Sequence, residues 1–143
     1  MKHAPFTLEP VDGLINIAGG HTPHTHIHDP ESSYCRYYIV PIVGCSVYIL
    51  WANLVAWVPA NDNTNIQVHW TQLAASIGAS PARLRRITQR MATFHLAYTL
   101  PAEPSTLHLR RRAATLSPKL LEQLATNAPA LAAAHDHLLH TAA

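Results

Sequence analysis

The sequence predicts a mainly α-helical domain carrying a small β-hairpin, with an irregular N-terminal extension over 1–34 and a helical C-terminal tail over 117–143. Apolar residues recur at three- and four-residue intervals over 43–58 and 81–94, the period of a helix that buries one face. Two strand-like runs, 94–100 and 106–110, flank the turn-forming Pro101-Ala-Glu-Pro-Ser105, the arrangement of a hairpin with a five-residue loop. At 143 residues the chain has room for one core domain, placed at 35–116.

The extension carries Pro5, Pro10, Pro23 and Pro30 and only one short strand-like run, Leu14-Ile-Asn-Ile17. From Tyr37 to Val58 there follow 22 residues without a charge, long enough to span a bilayer if helical throughout. Pro41 and Gly44 interrupt that run and confine regular helix to 43–58, roughly 24 Å at 1.5 Å per residue. A buried first helix is therefore expected, with Val47, Leu50, Leu54 and Trp57 on its inner face and no membrane span. Its remaining apolar residues, Tyr48, Ile49, Trp51 and Val55, predict a second covering surface. The stretch 59–65 is dense in Asn, Asp and Pro and reads as a loop. Helices are expected at 70–77 and 81–94, and beyond Ser117 as N-cap with Pro118 in the first turn; a break at Asn127-Ala-Pro129 divides the tail in two.

Charge is unevenly placed. Only 13% of residues are charged and the net charge is +2, yet 83–119 holds eight of the ten Lys and Arg against Glu103 alone. That segment is +7 and the rest of the chain −5. A basic field so concentrated is the footprint expected of a nucleic-acid surface, and a solvated basic face has the same sequence pattern.

The segment 70–90 is the most informative. Leu73 and Ala74 precede Gly78, Ile77 stands just before it, and Leu84 and Ile87 follow. Gly78 can take the left-handed conformation of a tight turn, Ala74 admits a close helix crossing, and Ser80 with Pro81 opens the next helix. This pattern resembles the helix-turn-helix family, and with the hairpin that follows, residues 43–112 resemble winged helix DNA-binding proteins. The resemblance implies a mainly α fold: a winged helix-turn-helix core with a small β-hairpin wing. It also implies a recognition helix over 81–94 that enters the major groove of double-stranded DNA. Ser80, Ala82, Arg83, Arg85, Arg86, Gln89 and Arg90 are then the DNA-facing set, since Arg reads guanine and Gln adenine. Arg110, Arg111 and Arg112, where the wing emerges, are the expected phosphate anchors. Glu103 at the wing tip and the strongly apolar first helix depart from the family's pattern.

His21, His24, His26 and His28 alternate along a Pro-rich segment, and His135, His137 and His140 form a looser group. Neither has the spacing of a closed zinc site, so no metal or other cofactor is expected. Cys45 reads as a packed core residue, and Cys35 and Cys45 as two reduced thiols in a cytoplasmic protein. No nucleophile–base set, phosphate-binding glycine loop or carboxylate pair appears, so an enzyme is not expected. The function predicted is sequence-specific binding of double-stranded DNA, as a transcriptional regulator acting as a homodimer. The alternative is a winged helix used for protein–protein assembly without DNA.

Overall fold

The computed structural model describes residues 6–58 and 65–141. All of the expected loop 59–65 but Asn65 lies outside the described residues. In chain order the elements are β1 (Leu14–Gly19), β2 (His26–His28), a π-helical turn (Cys35–Ile39), α1 (Val40–Val43), α2 (Cys45–Trp57), β3 (Asn65–His69) and α3 (Trp70–Ser76). There follow α4 (Pro81–Thr93), β4 (Ala97–Leu100), β5 (Glu103–Leu109), β6 (Ala113–Ala114), α5 (Pro118–Asn127) and α6 (Pro129–Thr141).

The sheet corrects the expected fold class. Four strands are ordered β3-β1-β5-β4, with β1 antiparallel to β3 and parallel to β5; β2 and β6 form a separate pair. The protein is therefore α/β with a mixed sheet, not a mainly α domain with a small wing, and the hairpin is half of that sheet. The N-terminal segment supplies an inner strand rather than an extension. Period-2 alternation explains why β1 can sit there: Ile15 and Ile17 are fully buried, and Ile17 lies between Ile66 and Leu107 in register. The opposite face is more polar, with Asn16 beside Gln67 and Thr106, and Tyr98 stacked on His108 at 5.1 Å. The hairpin turn is also tighter than expected, because Glu103 and Pro104 already belong to β5.

The uncharged run divides at Gly44 but not at Pro41: helical turns run unbroken from Cys35 to Val43, so regular helix is not confined to 43–58. Pro41 occupies the first turn of α1, and Gly44, at φ 94°, separates α1 from α2. Val47, Leu50 and Leu54 are buried as expected, but the indole buried with them is Trp51 and not Trp57, which is 47% exposed. Trp51 also donates from Nε1 to the carbonyl of Arg110 at 2.8 Å, which ties α2 to the end of β5. Cys45, expected in the core, is exposed, and Cys35 is fully buried. Among the described residues no helix is long and apolar enough to cross a membrane.

The α3–α4 connection closes as its residues dictate. Gly78 has φ 67°; its N–H donates to Ala75 and that of Ala79 donates to Ala74 at 2.9 Å, the paired bonds of a Schellman motif. Ser80 Oγ then accepts from Arg83 N–H, with Pro81 in the first turn of α4. Leu84, Ile87 and Met91 are buried along α4 together with Thr88, whose hydroxyl donates back to the Leu84 and Arg85 carbonyls. Phe94, the last residue of the expected stripe, is half-buried. In the tail, Ser117 caps α5 and Leu124 is buried. His135 of α6 is buried completely, with its Nε2 2.6 Å from Tyr34 Oη.

Candidate nucleic-acid interface

Every residue placed on the outer face of α4 by the sequence pattern is exposed: Ser80, Ala82, Arg83, Arg85, Arg86, Gln89 and Arg90. Their side chains have different commitments. Arg83 donates to Ser46 Oγ at 3.2 Å, and Arg90 donates to the carbonyls of Ile42 and Val43 while lying 5.1 Å over the Phe94 ring. Arg90 therefore ties α4 to the end of α1, where backbone carbonyls lack helical partners. The side chains of Arg85, Arg86 and Gln89 make no hydrogen bond to any described residue. Their charges and donors are open to a ligand.

Arg110, Arg111 and Arg112 are arranged otherwise. Arg111 donates from both terminal nitrogens, at 3.0 Å each, to the carbonyls of Val55 and Val58 at the end of α2. Arg112 donates to the His26 carbonyl at 3.0 Å, while His26 Nδ1 donates to the Arg112 carbonyl at 3.1 Å. Arg110 lies over the Tyr98 ring at 5.0 Å and reaches the His95 carbonyl at 3.5 Å. This run joins β5 to α2 and β2, so three consecutive arginines find backbone oxygens within their own chain. No arginine among the described residues is bonded to a carboxylate.

On one flank of α4 is a cleft of about 610 Å3, walled by Arg83, Arg86 and Arg90 on one side and by residues 43–47 on the other. On the other flank, Arg85, Thr88 and Gln89 meet the N-terminal segment 6–9. Segment 6–9 is fixed to the sheet by hydrogen bonds from Thr7 N–H to Thr99 Oγ1 and from Glu9 N–H to the Pro104 carbonyl. The sequence reading missed Gly44 and Ser46, which face the arginines across the cleft. Their signal is a Gly followed within two residues by Ser at a helix start, which apolar periodicity does not register.

The histidines fall in two places. His26 and His28 lie on β2, and burial holds both below the usual imidazole range. Burial lowers His135 as well, against the opposing pull of Asp136, and raises the phenol of Tyr34. Tyr34 Oη accepts the Leu116 N–H at 2.9 Å, so its own proton goes to His135 Nε2 and the imidazole proton rests on Nδ1. His28 stacks on Tyr34 at 3.7 Å and bonds Thr115, which makes this cluster the anchor of α6. His21 and His24 are exposed, and no group of three or more His, Cys, Asp or Glu among the described residues is arranged to hold a metal.

Comparison of the chain with family models, curated proteins and solved structures gives no match.

Proposed function

We propose that this protein binds double-stranded DNA in a sequence-specific manner and acts as a transcriptional regulator, with α4 in the major groove. One observation carries the reading: the side chains of Arg85, Arg86 and Gln89 project from a capped 13-residue helix with no hydrogen-bond partner among the described residues, whereas Arg90 and Arg110–Arg112 are engaged internally. Arg and Gln are the side chains that read guanine and adenine edges bidentately. The rigid Gly78 turn and the Ser80 cap supply the fixed orientation that base reading needs. The wing arginines are left out of this reading, because Arg111 and Arg112 already serve α2 and β2 and Arg110 lies over Tyr98 beside the His95 carbonyl.

Exposed Ile49 and Trp57 on α2 favour a homodimer, which sets two α4 helices about one duplex turn, ~34 Å, apart. Both cysteines are unpaired, which fits the reducing cytoplasm as the site of action. Repeated selection from a random pool of duplexes tests the reading. Enrichment of a consensus with two half-sites is expected, and a pool that stays random through successive rounds removes sequence-specific binding.

A further inference from the structure

Arg83, Arg86 and Arg90 stand at i, i+3 and i+7 and share one flank of α4, while Arg85 and Gln89 lie on the other. Their flank faces the cleft against α2. Opposite them, Gly44 breaks the helix and no side chain caps α2; the first bonded amide of the new helix is that of Tyr48, to the Gly44 carbonyl. The N–H groups of Cys45, Ser46 and Val47 are therefore the first-turn donors that no helical carbonyl takes. A Cβ built on Gly44 meets nothing within 4 Å, so the backbone here lies open to the cleft. The Arg83 guanidinium is already held at this turn by Ser46, and that of Arg90 by the carbonyls just before it. Three cations and the residues that carry these free amides thus line one concavity with no carboxylate among its described lining.

We infer that this cleft seats a phosphate group, held by Arg86 and Arg83 and by the first-turn N–H groups of α2. A compact, multiply charged oxyanion is the ligand that uses guanidinium donors and helix-start amides together. The source of the phosphate rests on the DNA-binding reading: it is a backbone phosphodiester beside the groove that α4 enters. Arg86 then positions the helix, and base reading falls to Arg85 and Gln89 on the far flank. A free phosphoryl compound has the same chemistry, and the two sources separate by experiment.

The full chain, labelled with 15N, is titrated with inorganic phosphate and, at matched ionic strength, with chloride. Phosphate should shift the amides of Cys45, Ser46 and Val47 saturably where chloride does not, and Arg86→Ala should weaken that binding about tenfold. Arg86→Ala should also weaken preferred and random duplexes by the same factor, lowering the slope of log K against log salt by about 0.9. Equal shifts with phosphate and chloride overturn the seat. So does a loss confined to the preferred duplex, which makes Arg86 a base reader and leaves DNA binding intact. If phosphate moves these amides and no duplex binds, the seat stands with a free phosphoryl ligand and the DNA reading falls.

Discussion

Two groups of arginines, identical in chemistry and only about twenty residues apart, have opposite surroundings in this protein. Those of α4 project from a helix that buries Leu84, Ile87 and Met91 on its other face, and of these Arg85 and Arg86 make no hydrogen bond to any described residue. Arg111 and Arg112 leave a strand that runs beside the end of α2 and the start of β2, and there they donate to the carbonyls of Val55, Val58 and His26, while Arg110 reaches that of His95. The difference is set by backbone supply. A guanidinium near an unfinished helix end serves as a cap, whereas one on the outer face of a capped helix stays open to a ligand. A basic stretch in a sequence is therefore two kinds of surface until the neighbouring carbonyls are known.

The largest effect expected from this contrast is on stability. Arg111→Ala removes two charge-assisted hydrogen bonds at the end of α2 and should destabilise the fold by about 2 kcal/mol, read as a lower urea midpoint at unchanged m. A midpoint within error of the parent would break the contrast, because Arg111 would then be as free as Arg86. Next comes Arg85→Ala. Its stability should stay within about 0.5 kcal/mol of the parent, since the guanidinium makes no hydrogen bond to a described residue, while affinity for a preferred duplex should fall by about 1 to 3 kcal/mol. Loss of stability without loss of affinity would place Arg85 with the inward group.

Gly78→Ala sharpens the comparison without touching an arginine. At φ 67° an alanine is strained, so the turn that aims α4 should weaken by about 1 kcal/mol, with duplex affinity falling further than the folded fraction explains. Unchanged affinity per folded molecule would mean that the aim of α4 does not matter. pH acts on the buried histidines. His26 beside Arg112 and His135 beneath Tyr34 both have folded-state pKa values lowered by burial, so their contribution to stability is complete above the ordinary 6.5. As pH falls below that value the unfolded chain takes up protons that the folded chain refuses, and stability drops until the lowered folded pKa is reached. The urea midpoint should be lower at pH 5.5 than at pH 7.5, with a smaller change in His26→Asn; a midpoint that rises on acidification contradicts the neutral, buried histidines.

How much of this was legible depended on how local each signal is. The Gly78 turn, the Ser80 cap, the buried stripe of α4 and the breaks at Gly44 and Pro129 are set by neighbours within a few residues, and propensity and period find them. The sheet is not local. β1 pairs in parallel with β5 about ninety residues away, and nothing in Leu14-Ile-Asn-Ile17 states its partner, so local pattern alone points to a mainly α fold. Trp51 and Trp57 are six residues apart on a helix apolar on nearly every side, where periodicity cannot choose the inner face. At the candidate site, exposure of the α4 residues followed from the stripe opposite them. The inward turn of Arg110–Arg112 and the cleft at Gly44 came from elements that only the tertiary fold brings together.

The central claim is that the outer arginines of α4 bind DNA while Arg110–Arg112 hold the protein together. Fluorescence anisotropy on a labelled preferred duplex, with Arg85→Ala/Arg86→Ala and Arg111→Ala compared at equal folded fraction, tests it most directly. The double variant should lose at least about tenfold in affinity and Arg111→Ala should stay within about twofold of the parent. Equal losses in the two, or a loss in Arg111→Ala alone, would contradict the division of the arginines described here.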